Sequence, residues 1–112
     1  MVLKWDYLDH TWCMDAEGML FTCEVKTCAV PYMNTEVCRE KSYKYAINSA
    51  PQRASDVHVF VALDIMGALF VPTSELPPGG GKLYKARHLD RSLTDPSLQH
   101  CLSFLRGNKK AA

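Results

Sequence analysis

A carboxylate and an ammonium group two residues apart are the first sign of chemistry in this sequence. Glu24 and Lys26 belong to Met19–Thr27, MLFTCEVKT, whose bulky and β-branched residues are typical of a β-strand. Successive residues of a strand point to opposite faces, so residues i and i+2 share a face. We therefore expect Glu24 and Lys26 to lie side by side. They form either an ion pair on a solvated face or part of a site for a metal ion and a phosphate.

A β-hairpin over residues 3–28 would bring an aspartate to the same face. Leu3–Met14 is predicted to be the first strand and Met19–Cys28 the second. The four residues between them, DAEG, are typical of a type I turn in which Gly18 supplies the positive φ.

The register of this hairpin decides which aspartate approaches the pair. If Gly18 forms a bulge in a three-residue loop, Asp6 shares the face of Glu24 and Lys26. If the loop has two residues, Asp9 lies directly opposite Glu24 instead. Because a slip of one residue reverses the face of every side chain, both aspartates are candidates.

The rest of the chain is predicted to alternate short strands with loops and to end in one helix. The predicted strands are Ser42–Asn48, Asp56–Leu63, Ala68–Pro72 and Leu83–His88. The helix begins at Thr94 or Asp95, carries apolar residues at i, i+3, i+4 and i+7, and is predicted to end at Gly107. The sequence thus predicts a single α+β domain over residues 1–112, with an antiparallel-rich mixed sheet and a C-terminal helix near 95–106.

Composition narrows the class of protein. The chain has 112 residues, of which 47% are hydrophobic and 22% charged, as in ordinary soluble domains. A net charge of +1 excludes a global basic field, so a polyanion partner would need a local patch.

No apolar run approaches the roughly 20 residues of a membrane span, and the N-terminus lacks the shape of a signal peptide. With five cysteines and no CxxC pair, we expect reduced thiols in a cytoplasmic protein.

The order of these motifs resembles the PD-(D/E)XK nuclease superfamily, which is restriction-endonuclease-like, and in particular its small intron-encoded and restriction-type branches. There an acidic residue on one strand is followed by (D/E)xK on the neighbouring strand. EVKT at Glu24–Thr27 is similar to the (Q/E)VKT of those branches, and SYKYAIN at Ser42–Asn48 resembles the aromatic-basic strand that follows. The segment Asp56–Leu76 is similar to their strand-turn-strand segment ending in VP…EL.

The resemblance implies a restriction-endonuclease-like core and hydrolysis of DNA phosphodiester bonds that depends on Mg²⁺ or Mn²⁺. Glu24 and one aspartate, Asp6 or Asp9, would supply carboxylate ligands, which Mg²⁺ prefers. The backbone carbonyl of Val25 would be a third ligand. Lys26 would orient the attacking water or stabilise the pentavalent phosphate.

Basic residues around the later strands are candidates for contact with the DNA backbone. The set comprises Lys44, Arg53, Lys82, Lys85 and Arg87. Interleaved tyrosines are consistent with such binding, and a solvated set of loop charges is equally consistent. His58 lies within an apolar run, which favours a hydrogen-bonded sheet residue over a ligand. A homodimer is also expected, because two copies place two sites for two DNA strands.

Two other hypotheses remain open. One is a catalytically inactive, nuclease-like factor of a mobile element or phage that binds DNA or protein. The other is an unrelated small α+β binding module.

Overall fold

Two β-sheets and one long helix form the part of the chain that the structure describes. The computed structural model describes residues 2–5, 11–34, 38–47, 55–77 and 81–111. The strands are β1 (Val2–Trp5), β2 (Thr11–Met14), β3 (Leu20–Cys28), β4 (Tyr32–Asn34), β5 (Cys38–Ala46), β6 (Val57–Ala62), β7 (Gly67–Pro72) and β8 (Gly81–Lys85), and the helix is α1 (Thr94–Ala111). One sheet has the order β1-β2-β3-β6-β7 and the other the order β4-β5-β8. The predicted α+β class, with a mixed sheet and a C-terminal helix, is confirmed.

The hairpin between β2 and β3 has the three-residue-loop register. Cys13 pairs with Phe21, and the backbone N–H of Asp15 donates to the carbonyl of Met19 at 3.1 Å. Gly18 has a φ of 90°, a conformation that glycine adopts without the steric cost of a Cβ. The turn residue predicted from the sequence thus selects one of the two registers.

The prediction of one continuous strand over Leu3–Met14 is wrong. β1 and β2 are separate strands that pair antiparallel, with Val2 opposite Met14 and Trp5 opposite Thr11. Because β1 folds back on β2, its backbone N–H and C=O groups have hydrogen-bond partners on that strand. Asp6 and Asp9 lie between these strands and outside the described residues.

The C-terminal helix begins where the sequence predicts and ends later. The Thr94 hydroxyl donates to the carbonyl of Ala68 at 2.7 Å, so the start of α1 is fixed to β7. The predicted end at Gly107 is wrong, because α1 continues to Ala111. Glycine inside a helix costs only about 1 kcal/mol relative to alanine, and the lysines and alanine that follow favour helix. No helix within the described ranges is both long and apolar enough to cross a membrane.

Each face of the five-stranded sheet is covered by a different layer. Phe21 and Cys23 of β3 lie in the cluster that contains Leu102 and Leu105 of α1. Phe60 of β6 lies in a second cluster, with tyrosines of β5 and β8. Alternation along β3 therefore places Glu24 and Lys26 on the face that the second sheet covers.

Three short 3₁₀ helices complete the described elements. They span Thr73–Glu75, Ala86–His88 and Arg91–Leu93. The first follows β7 directly, and its residue Thr73 contacts His58 on the face of the candidate site.

Candidate functional site

Glu24 and Lys26 form an ion pair on the central strand of the five-stranded sheet. Glu24 Oε1 lies 3.5 Å from Lys26 Nζ. The two side chains are only 11% and 17% exposed. The expected side-by-side placement of the two side chains is confirmed. They are, however, too buried to form an ion pair on a solvated strand face. Because removing charges from water is costly, each of these groups depends on the other for compensation.

A buried histidine lies next to the pair on the same face. β3 and β6 run parallel, and the register sets Glu24 level with His58. His58 is fully buried, and its Nδ1 lies 2.8 Å from the hydroxyl oxygen of Thr73, in the 3₁₀ helix after β7. The sequence-based expectation of a hydrogen-bonded sheet histidine is consistent with this contact. The sequence did not indicate that this histidine adjoins Glu24, because that adjacency depends on the parallel pairing of distant strands.

Two positions before the Glu24–His58 pair, and just before β6 begins, reciprocal hydrogen bonds join the two chain segments. Thr22 N–H donates to the Asp56 carboxylate at 2.9 Å, and Asp56 N–H donates to the Thr22 hydroxyl oxygen at 3.0 Å. This bridge aligns Glu24 with its neighbour on β6. Sequence reasoning missed it, since the two residues are 34 positions apart and belong to no local motif.

The described residues alone do not complete a metal site. They contain no group of three or more His, Cys, Asp or Glu side chains that could hold a metal ion. The oxygens of Glu24 suit a hard cation such as Mg²⁺. The Val25 side chain points to the opposite face and is 42% exposed, so only its backbone carbonyl remains a possible ligand. The second carboxylate predicted from the sequence, Asp6 or Asp9, lies outside the described residues.

Two of the basic residues predicted to bind DNA lie on the outer face of the three-stranded sheet. Lys44 is level with the exposed Leu83, and Lys85 is level with Ser42 on the neighbouring strand. Both lysines therefore share a face. That face points away from the five-stranded sheet and from the Glu24–Lys26 pair.

The other predicted basic residues do not join this face. Lys82 lies on the inner face, with its ammonium nitrogen 5.2 Å from the ring centroid of Tyr84. Arg87 is exposed on the 3₁₀ helix after β8, and Arg53 lies outside the described residues. Of the predicted DNA-binding residues that the structure describes, Lys44 and Lys85 share one face of the sheet, while Lys82 and Arg87 lie elsewhere.

Comparison with protein-family models, with curated proteins and with solved structures finds no match for this chain. The chemical capability of the site follows from its own geometry. A carboxylate suited to a hard cation and an ammonium group suited to a phosphate lie 3.5 Å apart, largely shielded from bulk water.

Proposed function

We propose that this chain is a metal-dependent DNA endonuclease, using Mg²⁺ or Mn²⁺, that hydrolyses phosphodiester bonds at Glu24 and Lys26. The observation that carries the proposal is the burial of this ion pair, whose side chains are 11% and 17% exposed. Replacing a buried ion pair by apolar residues is often neutral or stabilising. Stability alone therefore does not explain two buried charges at this position. A reaction at a phosphate would explain them, because it needs both a carboxylate and an ammonium group.

The residues have distinct parts in the proposed reaction. Glu24, together with Asp6 or Asp9 and the carbonyl of Val25, would hold the cation. When bound, the ion would neutralise charge on the phosphate and lower the pKa of a coordinated water. Lys26 donates hydrogen bonds from its ammonium group, either to the attacking water or to the phosphate oxygens that gain charge. Burial strengthens these interactions, because the local dielectric constant is lower than that of water.

DNA is the proposed partner, and the basic face defined by Lys44 and Lys85 would contact its backbone away from the cleaved bond. Contacts of this kind position a duplex without reading its sequence. We further propose that the chain acts in the cytoplasm as a homodimer, with one site for each DNA strand. Exposed apolar side chains after β3 and β6 support self-association: Val30 is 79% exposed, Leu63 47% and Met66 73%.

Plasmid nicking with purified protein tests the proposal. The wild type should nick supercoiled DNA with Mg²⁺ or Mn²⁺ and not with EDTA. Glu24→Ala and Lys26→Ala should each lower the rate by about 100-fold or more, since each removes an electrostatic contact to the reacting phosphate.

A matched control uses a second lysine–carboxylate pair that lies outside the site. Lys41 Nζ lies 3.3 Å from Asp64 Oδ2, and the Lys41 side chain is 47% exposed. Lys41→Ala should leave nicking unchanged. Equal nicking by all four proteins, or none by any of them, would refute the proposal. Salt-sensitive DNA binding without nicking would favour the inactive, nuclease-like factor.

A further inference from the structure

Two buried thiols face each other beneath α1. Cys13 Sγ and Cys23 Sγ are 3.4 Å apart, and both residues are 3% exposed. In the β2–β3 ladder Cys13 is level with Phe21, so Cys23 is its diagonal neighbour on the same face. Both are present as free thiols.

We propose that Cys13 and Cys23 are a redox-active dithiol that closes to a reversible intramolecular disulfide. The bond length of a disulfide is about 2.05 Å, so the sulfurs need to approach by about 1.4 Å from their separation of 3.4 Å. Diagonal neighbours on antiparallel strands lie about 7–8 Å apart, whereas a disulfide usually spans about 4.4–6.8 Å between Cα atoms, so closure requires a backbone shift as well as side-chain rotation. The contact already orients one sulfur toward the other.

A hydrogen bond joins the two sulfurs, and either atom can be its donor. Donation to a neighbouring sulfur favours the thiolate form of the acceptor and lowers its pKa. Whichever thiol becomes the thiolate is therefore the attacking group, and its neighbour is the resolving one.

Neighbouring thiols are less suited to the reaction. Cys101 belongs to the same buried cluster, and burial raises the pKa of its thiol to about 12. Cys28 is on the opposite face of β3, and its thiol donates to the carbonyl of Val30 at 3.3 Å. We therefore expect the bond to form specifically between Cys13 and Cys23.

A hydroperoxide is the proposed oxidant. One thiolate of the pair attacks the peroxide O–O bond, which gives a sulfenic acid on that sulfur. With hydrogen peroxide the leaving group is hydroxide, which is protonated to water. The second thiol then attacks the sulfenic sulfur, the S–S bond forms, and a second water leaves. Two thiols and one peroxide thus become one disulfide and two waters. A small dithiol reverses the reaction by thiol–disulfide exchange.

The experiment treats the full chain with hydrogen peroxide, unfolds it in denaturant so that buried thiols can react, blocks the remaining thiols with N-ethylmaleimide, and maps the tryptic peptides by mass spectrometry. We expect three of the five cysteines to be labelled. The peptide spanning residues 5–26, which contains both Cys13 and Cys23, should be lighter by two hydrogens and unlabelled. Dithiothreitol should restore both labels.

Variants distinguish this pair from its neighbours. Cys13→Ala and Cys23→Ala should each abolish the loss of two hydrogens, while Cys101→Ser should leave it intact. The wild-type peptide map decides the question even if a variant fails to fold. A cross-link that includes Cys101 or Cys28 would overturn the proposal. So would oxidation of Cys13 to sulfinic acid with Cys23 still labelled, or retention of all five labels.

Discussion

Glu24 and Lys26 carry opposite charges within a largely buried layer, and each charge is compensated by the other. Exposed ion pairs contribute little to stability, because water already solvates both partners. In a buried pair the loss of one partner leaves the other desolvated without compensation. The free energy of unfolding therefore reports whether the pair is held away from water.

A double-mutant cycle measures this coupling. Glu24→Gln and Lys26→Met should each lower the free energy of unfolding by about 1–3 kcal/mol, the usual cost of an unsatisfied buried polar group. The double variant should lose less than the sum, because it leaves no unpaired charge. Urea denaturation of the four proteins gives the coupling free energy.

The exposed Lys41–Asp64 pair again serves as the control. Lys41→Met should change the free energy of unfolding by less than about 1 kcal/mol. Additive losses in the Glu24–Lys26 cycle would show that the two side chains act independently and would contradict their coupling.

At the level of elements, the β2–β3 turn is fastened to the last turns of α1. Asp15 accepts backbone N–H groups of Glu17 and Met19, each at 2.9 Å, and Arg106 Nη2 lies 2.5 Å from Asp15 Oδ2. The Asp15 side chain is only 2% exposed. These contacts hold the hairpin that carries Glu24 against the helix.

The pH dependence of stability tests this connection. The backbone hydrogen bond from Met19, and then the hydrogen bond from Arg106, lower the pKa of Asp15 below its ordinary value of 3.8. A lowered folded-state pKa contributes stability above the ordinary value, and this contribution disappears as the pH falls through the folded-state pKa. Asp15→Asn should therefore be less stable than the wild type at pH 7, and the difference should vanish in strong acid.

Glu17 provides the matched comparison, since it pairs with the same arginine. Glu17 Oε2 lies 3.2 Å from Arg106 Nε, but the Glu17 side chain is 73% exposed. Glu17→Gln should change the urea midpoint little at any pH. A difference between Asp15→Asn and wild type that does not depend on pH would contradict the account.

For the molecule as a whole, the individual elements could be predicted from the sequence, but the pairing of distant strands could not. Local signals predicted the turn at Gly18, the strand in Val57–Ala62 and the start of the helix. They could not show that β3 pairs parallel with β6, because the choice among distant strands is not encoded in local periodicity. That pairing sets His58 beside Glu24. SYKYAIN likewise predicted a strand but not a separate sheet.

Tyrosines of that second sheet join it to the first. The Tyr43 hydroxyl donates to Asp64 at 2.7 Å, and the Tyr45 hydroxyl donates to the carbonyl of Val61 at 2.9 Å. Burial raises the pKa of Tyr43 to about 12. The segment predicted to be an aromatic-basic strand is thus a strand, and both of its tyrosines donate hydrogen bonds within the protein.

Self-association is the prediction for the whole molecule. Size-exclusion chromatography with light scattering should give twice the mass of one chain. Met66→Asp, which adds a charge to an exposed apolar position, should shift the protein toward the monomer. A strict monomer at the concentrations used for nicking would contradict the proposed homodimer.

A crystal structure with bound Mn²⁺ tests the central claim most directly. Anomalous scattering distinguishes Mn²⁺ from the lighter atoms of the protein and solvent. We expect Mn²⁺ to be coordinated by Glu24 together with Asp6 or Asp9, with Lys26 beside it. Mn²⁺ bound elsewhere, with Glu24 still paired only with Lys26, would contradict the assignment of this ion pair as the catalytic site.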